Sequence, residues 1–300
     1  MKNLLLIALC FSTSILFGQQ FHPQEGCASE HRMEMLYSKF PAMKAEADAF
    51  NAELARRSAQ GKSVSDKNIV YEIPVVVHVL NDGSALGTAA NRSDQQIIDW
   101  LEYTNQVLAG TSTDMLGEGN GGASVPVKLV LAKTGPNCLP TNGIHRVDLS
   151  GNAQYVQYGI NSATGYNGVP EADIVSQFGW DPTQYYNIYI SKIVLSGTFV
   201  AAGYASFAGT IPMYDNCFIM GNAVNTGQKT MAHEFGHALG LWHTQQGAAG
   251  SACAPNTNCL LSGDLVCDTE PITDLLSSAC PTGSINPCTG ALYGGTEQNV

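Results

Sequence analysis

The chain has 300 residues, 44% of them hydrophobic, which is enough for one sizeable domain with a packed core and an appended segment. Its 14 Lys and Arg against 25 Asp and Glu give a formal charge of −11, which argues against binding to nucleic acid or to anionic membranes. A carboxylate-rich surface can instead serve calcium, which takes oxygen ligands.

Residues 1–18 are predicted to be a secretory signal peptide. Lys2 precedes an apolar run that ends in small residues, and cleavage is expected near Gly18 and Gln19. A membrane anchor is the alternative, but the apolar run is short for a span and no basic cluster follows it. We therefore expect a secreted, extracellular protein that is not attached to a membrane once the signal is removed.

Residues 19–66 are predicted to be a helical propeptide. Apolar residues recur at roughly helical spacing through 30–57, and a polar run at 58–68 follows as a linker or processing site. The main folded domain is then expected to occupy residues 67–300.

From residue 69 the pattern is that of an α/β (α+β) domain, in which strands and helices alternate. Strands are predicted at 71–80, 125–133, 186–194, 203–207 and 216–220. Helices are predicted from the capping residue Ser93 to 108, at 171–178 and at about 229–240, with a Gly-rich loop at 117–122. After residue 243 the composition turns to Gly, Ser, Asn, Pro and Cys, which predicts an irregular, disulfide-pinned C-terminal lobe.

Residues 233–243 read H-E-F-G-H-A-L-G-L-W-H, a spacing that predicts a catalytic zinc site. His233 and His237 stand four apart, so a helix projects both imidazoles from one face, as two zinc ligands require. Gly240 allows a left-handed turn that swings His243 in as the third ligand. Three protein ligands leave one position open, which is typical of catalytic rather than structural zinc.

The carboxylate inside this motif predicts the reaction. Glu234 neighbours the first ligand and can act as general base on an activated water, then as general acid on the leaving amine. A bare H-E-x-x-H arises by chance in roughly one chain in a hundred of this length, and the added Gly and His lower that about a thousandfold. The alternative is an amphipathic helix whose histidines are merely hydrogen-bonded.

We therefore predict a secreted zinc-dependent endopeptidase that acts on proteins or peptides. One alternative is a catalytically impaired, zinc-binding adhesion or binding module, and another is a different hydrolase, such as an amidase. Cys27 is a candidate zymogen ligand, because a thiolate can fill the open zinc position and exclude water. A disulfide or an unpaired thiol is the alternative role for Cys27. The natural substrate and the oligomeric state stay open.

The extended zinc motif resembles that of the metzincins, and several segments resemble their pappalysin branch. These are L-W-H-T at 241–244, G-D-L-V-C-D-T-E-P at 263–271, Y-E-I-P-V-V-V-H-V-L at 71–80, T-N-G-I-H-R at 141–146, Y-N-I-Y-I at 186–190 and G-Y-A-S-F at 203–207. The resemblance covers most of residues 70–300. It implies a zincin-like catalytic domain: a twisted mixed sheet with a backing helix and an active-site helix.

The same resemblance assigns further residues. It makes the segment Gly203, Tyr204, Ala205, Ser206 and Phe207 the sheet edge that aligns an extended substrate, the alternative being an ordinary buried strand. It also places calcium in the C-terminal lobe, where Asp264, Asp268 and Thr269 are candidate ligands. Solvated carboxylates that cap turns are the alternative there.

The resemblance also bears on the cysteines and on the end of the chain. It pairs Cys259 with Cys288, and Cys280 with a cysteine beyond residue 300, although sequence alone leaves the connectivity open. Metzincins carry a methionine turn downstream of the third histidine, whereas this sequence has no methionine after Met231. The chain is therefore expected to be a fragment that ends before that turn, and the alternative is a protein that does without the turn.

Overall fold

The computed structural model describes residues 22–23, 26–60, 69–114, 123–249, 252–255, 257–267, 269–273 and 285–292. The predicted signal peptide, the Gly-rich loop at 117–122 and most of the predicted linker lie outside these residues. Within the described ranges, no helix combines the length and apolarity that a membrane span requires.

The helices are α1 (Ser29–Lys39), α2 (Pro41–Ala59), α3 (Asp94–Leu108), α4 (Ala153–Tyr158), α5 (Glu171–Phe178) and α6 (Thr230–Ala238). The strands are β1 (His22–Pro23), β2 (Tyr71–Asn81), β3 (Val127–Leu131), β4 (Ile144–Asp148), β5 (Ile160–Asn161), β6 (Val169–Pro170), β7 (Tyr186–Ser191), β8 (Val194–Ser196), β9 (Phe199–Val200), β10 (Gly203–Ala205) and β11 (Asn216–Met220). Short 3₁₀ turns lie at Pro212–Tyr214 and Gly221–Ala223.

The central sheet has the strand order β10-β11-β7-β2-β3, and β4 also pairs with β2. β2 is long enough to pair with β3 through its first half and with β4 through its second. The pairings are parallel except the one between β10 and β11, so β10 is an antiparallel edge strand. This mixed sheet, with helices on both faces, confirms the predicted fold class. The short strands β1, β9, β8, β5 and β6 form a second sheet.

The backing helix α3 packs on one face of the central sheet. Its first turn is closed by a capping box, in which the Ser93 hydroxyl accepts from the Gln96 amide and the Gln96 side chain accepts from the Ser93 amide. Trp100 is fully buried in a core cluster that also contains Met231 and Phe235 of α6. The backing helix therefore fixes the position of the helix that carries the zinc motif.

The opposite face of the sheet carries a second core cluster. There the side chains of Tyr204, Phe218 and Tyr189 pack with Ile174 of α5. The Tyr189 and Phe218 rings are stacked, with centroids 4.5 Å apart. The edge strand β10 is thus buried on both faces, by α6 on one side and by this aromatic cluster on the other.

The leader segment, defined here as residues 26–60, packs against the rest of the molecule through α1 and α2. The helical stretch predicted at 30–57 is divided at Phe40, because the proline at position 41 starts a new helix and disfavours helical backbone before it. A third core cluster joins Met33, Leu36 and Met43 of the leader to Phe207 and Tyr214. The leader is therefore held by apolar burial as well as by polar contacts.

Several predicted boundaries differ from the observed ones. The strand predicted at 186–194 is interrupted after Ser191, and the strand predicted at 203–207 ends at Ala205. The β4 strand and the α4 helix were not predicted, since neither has a long periodic pattern. By contrast, α5 and β11 have the predicted bounds.

Candidate metal centre and active site

The three motif histidines converge at the C-terminal end of α6. His233 and His237 lie one turn apart on this helix, and the chain then reverses at Gly240, whose φ of 98° is in the left-handed region. Bonds from the amides of Gly240 and Leu241 back to His237 and Gly236 close the reversal. The turn brings His243 against the other two imidazoles, as its glycine predicts.

The geometry of the imidazoles fits a tetrahedral ion. The three Nε2 atoms of His233, His237 and His243 are each 3.2 Å from the other two. Ligands at about 2.0–2.1 Å from a tetrahedral zinc stand about 3.3–3.4 Å apart. Nitrogen lone pairs that face one another this closely repel unless a cation or shared protons lie between them. The donor set therefore fits zinc.

The sulfur of Cys27 lies beside the histidine triangle. Its Sγ is 3.2 Å from Nε2 of His237, and the ligand atoms of the four residues all lie within 4.8 Å of one another. Burial, and then the charge of Glu234, raise the pKa of the Cys27 thiol well above its ordinary value. The leader segment thus supplies a fourth donor to the three histidines of the motif.

Hydrogen bonds to the outer ring nitrogens orient two of the imidazoles. Nδ1 of His237 is 2.7 Å from the carbonyl oxygen of Leu241, which can only accept, so this nitrogen donates. Nδ1 of His243 is likewise 2.7 Å from the Glu30 carboxylate. In both rings the Nε2 lone pair is then free for a metal, the arrangement in which neutral imidazoles serve as ligands.

The carboxylate of Glu234 is buried next to the triangle. Its Oε2 accepts hydrogen bonds from the Ser29 hydroxyl at 2.9 Å and from the Cys27 thiol at 3.3 Å. Its Oε1 has no hydrogen-bond partner among the described residues. Burial raises the pKa of Glu234 to about 7, although the two bonds from the leader oppose that shift. A carboxyl with such a pKa can exchange protons near neutral pH.

The leader runs along the edge strand β10. The Ala28 amide donates to the carbonyl of Gly203, and the Ala202 amide donates to the carbonyl of Gly26, both at 3.0 Å. The pairing at Cys27 and Gly203 is parallel. A Cβ on Gly203 would lie 2.9 Å from the Ile219 side chain and 3.2 Å from that of Glu234, so this position admits little beyond glycine.

The remaining residues of the predicted edge lie just beyond the strand. Ser206 is fully buried, and the ring of Phe207 stacks on Trp242 with centroids 4.2 Å apart. The Phe207 ring also lies 4.8 Å from that of His237. The structure therefore places 203–207 beside the metal centre, but only its first three residues form the edge strand.

The C-terminal lobe differs from its predicted disulfide pattern. Cys259 is bonded to Cys267, and Cys288 is bonded to Cys253, so the predicted Cys259–Cys288 pair is wrong. A run of turns through 260–267 brings the Cα atoms of Cys259 and Cys267 to 4.9 Å, within disulfide reach. The described part of the lobe is irregular, as predicted.

The candidate calcium residues are only partly visible. Asp268 lies outside the described residues, and Thr269 sits in a bend. Asp264 is buried, and its Oδ1 accepts from the Val266 amide at 3.1 Å, which is a turn-capping bond. The structure thus shows the turn-capping role of Asp264 and leaves the calcium role as a hypothesis.

Sequence reasoning missed the contributions of Ser29 and Glu30. These residues follow Cys27 and contact Glu234 and His243, about 200 residues away in the chain. Short polar residues in a helical leader carry no signal of a distant partner. The position of Cys27 before the helix was the one clue that this segment reaches the site.

Parts of the sequence are similar to a known protein family and to named proteins. Residues 169–298 match the family model Peptidase_M43, described as Pregnancy-associated plasma protein-A. An extracellular metalloprotease of Arthroderma gypseum is 38% identical over 76 residues, which are 23% of this chain and 23% of that protein. One of Sordaria macrospora is 34% identical over 110 residues, 32% of this chain and 33% of the relative. The matches thus span only a quarter to a third of these relatives.

Solved structures share the fold. A mutant of promirolysin from Tannerella forsythia superposes with a TM-score of 0.62 at 23% identity, over 89% of this chain and 83% of the other. Mature mirolysin from Tannerella forsythia, in complex with a cleaved peptide, gives 0.51 at 23% identity, over 74% of this chain and 81% of that one. At this identity the likeness shows the fold.

Proposed function

We propose that this chain is a secreted, zinc-dependent endopeptidase of the pappalysin-like metzincins, made with an N-terminal propeptide. The observation that carries the proposal is the triangle of three Nε2 atoms 3.2 Å apart, with the buried Glu234 carboxylate beside it. Similarity to proteins named extracellular metalloproteases supports both the peptidase activity and the secretion.

His233, His237 and His243 would hold the zinc ion. Zinc bound there would polarise the peptide carbonyl and lower the pKa of a coordinated water towards about 7. Glu234 would take the proton from the attacking water, and the proposed acceptor is Oε1, which has no hydrogen-bond partner among the described residues. The protonated carboxyl then delivers that proton to the leaving amine.

The edge strand β10 would bind the substrate backbone. In the present structure the Gly203 carbonyl accepts from the Ala28 amide and the Ala202 amide donates to the Gly26 carbonyl, so the leader occupies these two groups at the sheet edge. An extended peptide can take over these two bonds once the leader departs, by adding a strand to the sheet. This would hold the scissile bond near Glu234, since Gly203 lies against that side chain.

The leader segment would keep the enzyme latent. Cys27 would be the fourth zinc ligand, Ser29 occupies Oε2 of Glu234, and residues 26–28 cover the substrate edge. Residues 26–29 would thus block the open zinc position, the Glu234 carboxylate and the edge that pairs with the substrate. Cleavage within the polar run at 58–68 would release this block, and residues 19–66 would then be a propeptide.

Casein cleavage tests the proposed activity. After limited proteolysis in the polar run at 58–68, the full-length protein should cleave casein at internal bonds, because the leader then leaves the site. A zinc chelator should stop cleavage, and added zinc should restore it. A processed protein that contains zinc and cuts no peptide bond would favour the catalytically impaired binding module instead.

Calcium is proposed as a second ion, held in the C-terminal lobe by Asp264, Asp268 and Thr269. Dialysis that removes calcium and spares zinc should then lower the melting temperature by several degrees, because an ion that binds only the folded lobe stabilises it. The measurement is a thermal scan with both metals assayed, in wild type and in an Asp264→Asn variant. An unchanged melting temperature in calcium-depleted wild type excludes the site.

A further inference from the structure

Two of the motif imidazoles are oriented by different parts of the chain. Nδ1 of His237 faces the carbonyl of Leu241, which belongs to the zinc motif itself. Nδ1 of His243 faces the carboxylate of Glu30, which belongs to the leader and lies 213 residues earlier in the sequence. Removal of the leader therefore keeps the partner of His237 and takes away the carboxylate partner of His243.

The first turn of α1 places Glu30 beside the metal centre. The helix begins at Ser29, so Glu30 is the acidic residue of its first turn. An acidic side chain is favourable at the start of any helix, but this one also ends 2.7 Å from a ring nitrogen of His243. The Glu30 side chain is 35% exposed and that of His243 is 12% exposed, so the pair lies at the rim of the metal centre.

A second residue of the same turn holds the carboxylate in place. Because a carboxylate only accepts hydrogen bonds, the side-chain nitrogen of Gln246 faces Glu30, 3.1 Å from Oε2, and also donates to Oε1. The backbone amide of Gln246 donates to the carbonyl of His243 at 2.9 Å. Glu30 is thus fixed between two side chains of one tight turn, which limits the directions from which it can contact the imidazole.

A carboxylate on the outer nitrogen of a ligating histidine acts on the metal through the ring. It fixes Nδ1 as the donor, so that Nε2 keeps its lone pair, and it makes the imidazole a more basic ligand. Loss of such a partner typically weakens metal affinity by about 10- to 100-fold. Because Glu30 is partly exposed, water screens its charge, and we expect an effect near the lower end of that range.

We propose that Glu30 is a positioning residue for zinc, and that the leader has a second role, which is to hold the metal until processing. The uncut chain binds zinc through a His243 that the leader orients. The processed enzyme binds zinc less tightly, because water or a neutral group must then accept from Nδ1. This inference rests on the proposed peptidase function and adds to it a control of metal affinity, separate from ligation by Cys27.

The zinc affinity of the uncut chain tests the role of Glu30. The dissociation constant is measured by competition with a chromophoric chelator, in a Cys27→Ala background so that the thiol does not contribute. Glu30→Ala should raise it about tenfold or more, and Glu30→Gln, whose amide oxygen can still accept from Nδ1, should raise it less. Glu34→Ala, an exposed change one turn further along α1, should leave it unaltered.

Hydrogen exchange separates positioning from undocking of the leader. Arg32 of α1 is fully buried and paired with Glu171 at 2.9 Å, so the leader should stay docked when Glu30 is replaced. Amides of residues 26–40 should then exchange as slowly in both Glu30 variants as in the parent. The proposal is overturned if Glu30→Ala binds zinc as tightly as the parent, or if both variants lose affinity only together with this protection.

The processed chain separates this inference from the peptidase proposal. After cleavage in the polar run at 58–68 and removal of the leader, zinc should bind about tenfold or more less tightly than to the uncut Cys27→Ala chain. Equal affinity of these two proteins overturns the metal-holding role. A processed protein that cuts no peptide bond but shows the predicted differences in zinc affinity refutes the peptidase proposal and leaves the role of Glu30 supported.

Discussion

Replacing Glu234 with Gln is expected to lower kcat for casein or a peptide by roughly 10²- to 10⁴-fold, the usual contribution of a general acid–base group. The amide has nearly the same shape but cannot take up the proton of the attacking water at Oε1. Because Glu234 is not one of the residues proposed to hold zinc, the zinc content of the processed protein should not change. The measurement is kcat together with zinc per chain on the same preparation.

Two control variants give this result its meaning. Glu102→Gln, an exposed change on α3, should leave both kcat and zinc content unaltered. His237→Ala should lose the zinc itself, because it removes one corner of the nitrogen triangle. A Glu234→Gln enzyme that retains wild-type kcat would show that another group moves the proton, and the assignment of Glu234 would be abandoned.

The uncut Cys27→Ala chain is expected to be at least about tenfold more active than the uncut wild type. The substitution removes the Sγ that lies 3.2 Å from Nε2 of His237 and 3.3 Å from Glu234. Loss of about 1.4 kcal/mol of leader binding is enough to raise the fraction of molecules with an open site about tenfold. Full activity is not expected before processing, because Ser29 and Arg32 still hold the leader. The measurement is peptide cleavage under conditions that block processing.

Cys138→Ala is the matched control for this prediction. Cys138 is also a free cysteine, but it is exposed and is not one of the clustered ligand residues. Its replacement should leave the uncut chain latent. If the uncut Cys27→Ala chain cleaves peptide no faster than the uncut wild type, then coverage of the β10 edge by residues 26–28 is sufficient for latency and the thiol does not contribute to it.

The parts of the fold that local sequence determines were predictable. The run of β-branched residues in β2 and the N-cap at Ser93 depend on neighbours in the chain, and both were found where the pattern placed them. The approach of His243 to the other histidines was predictable for the same reason, since Gly240 permits the reversal within a few residues.

The contacts that hold the leader could not be predicted. Arg32 and Glu171 are 139 residues apart, and nothing in a helical stretch marks one of its arginines as buried and ion-paired. The bond from Ser29 to Glu234 is of the same kind. These pairs form only because α1 is docked on the sheet edge, so they depend on tertiary packing that neither periodicity nor motif spacing records.

The disulfide pairing was mispredicted for a different reason. The pairing of Cys259 with Cys288 was taken over from a family resemblance, whereas the turns between Cys259 and Cys267 bring these two cysteines together locally. A sequence with an excess of turn-forming residues allows several pairings, and connectivity is decided by which Cα atoms the folded turns bring close.

Zinc-edge X-ray absorption on the uncut, zinc-loaded chain tests the central claim most directly. The account predicts three nitrogen ligands at about 2.0–2.1 Å and one sulfur at about 2.3 Å, with the sulfur replaced by a lighter atom in Cys27→Ala and after processing. The result that would contradict it is a first shell with fewer than three imidazoles, or one in which the sulfur signal is unaffected by removing Cys27.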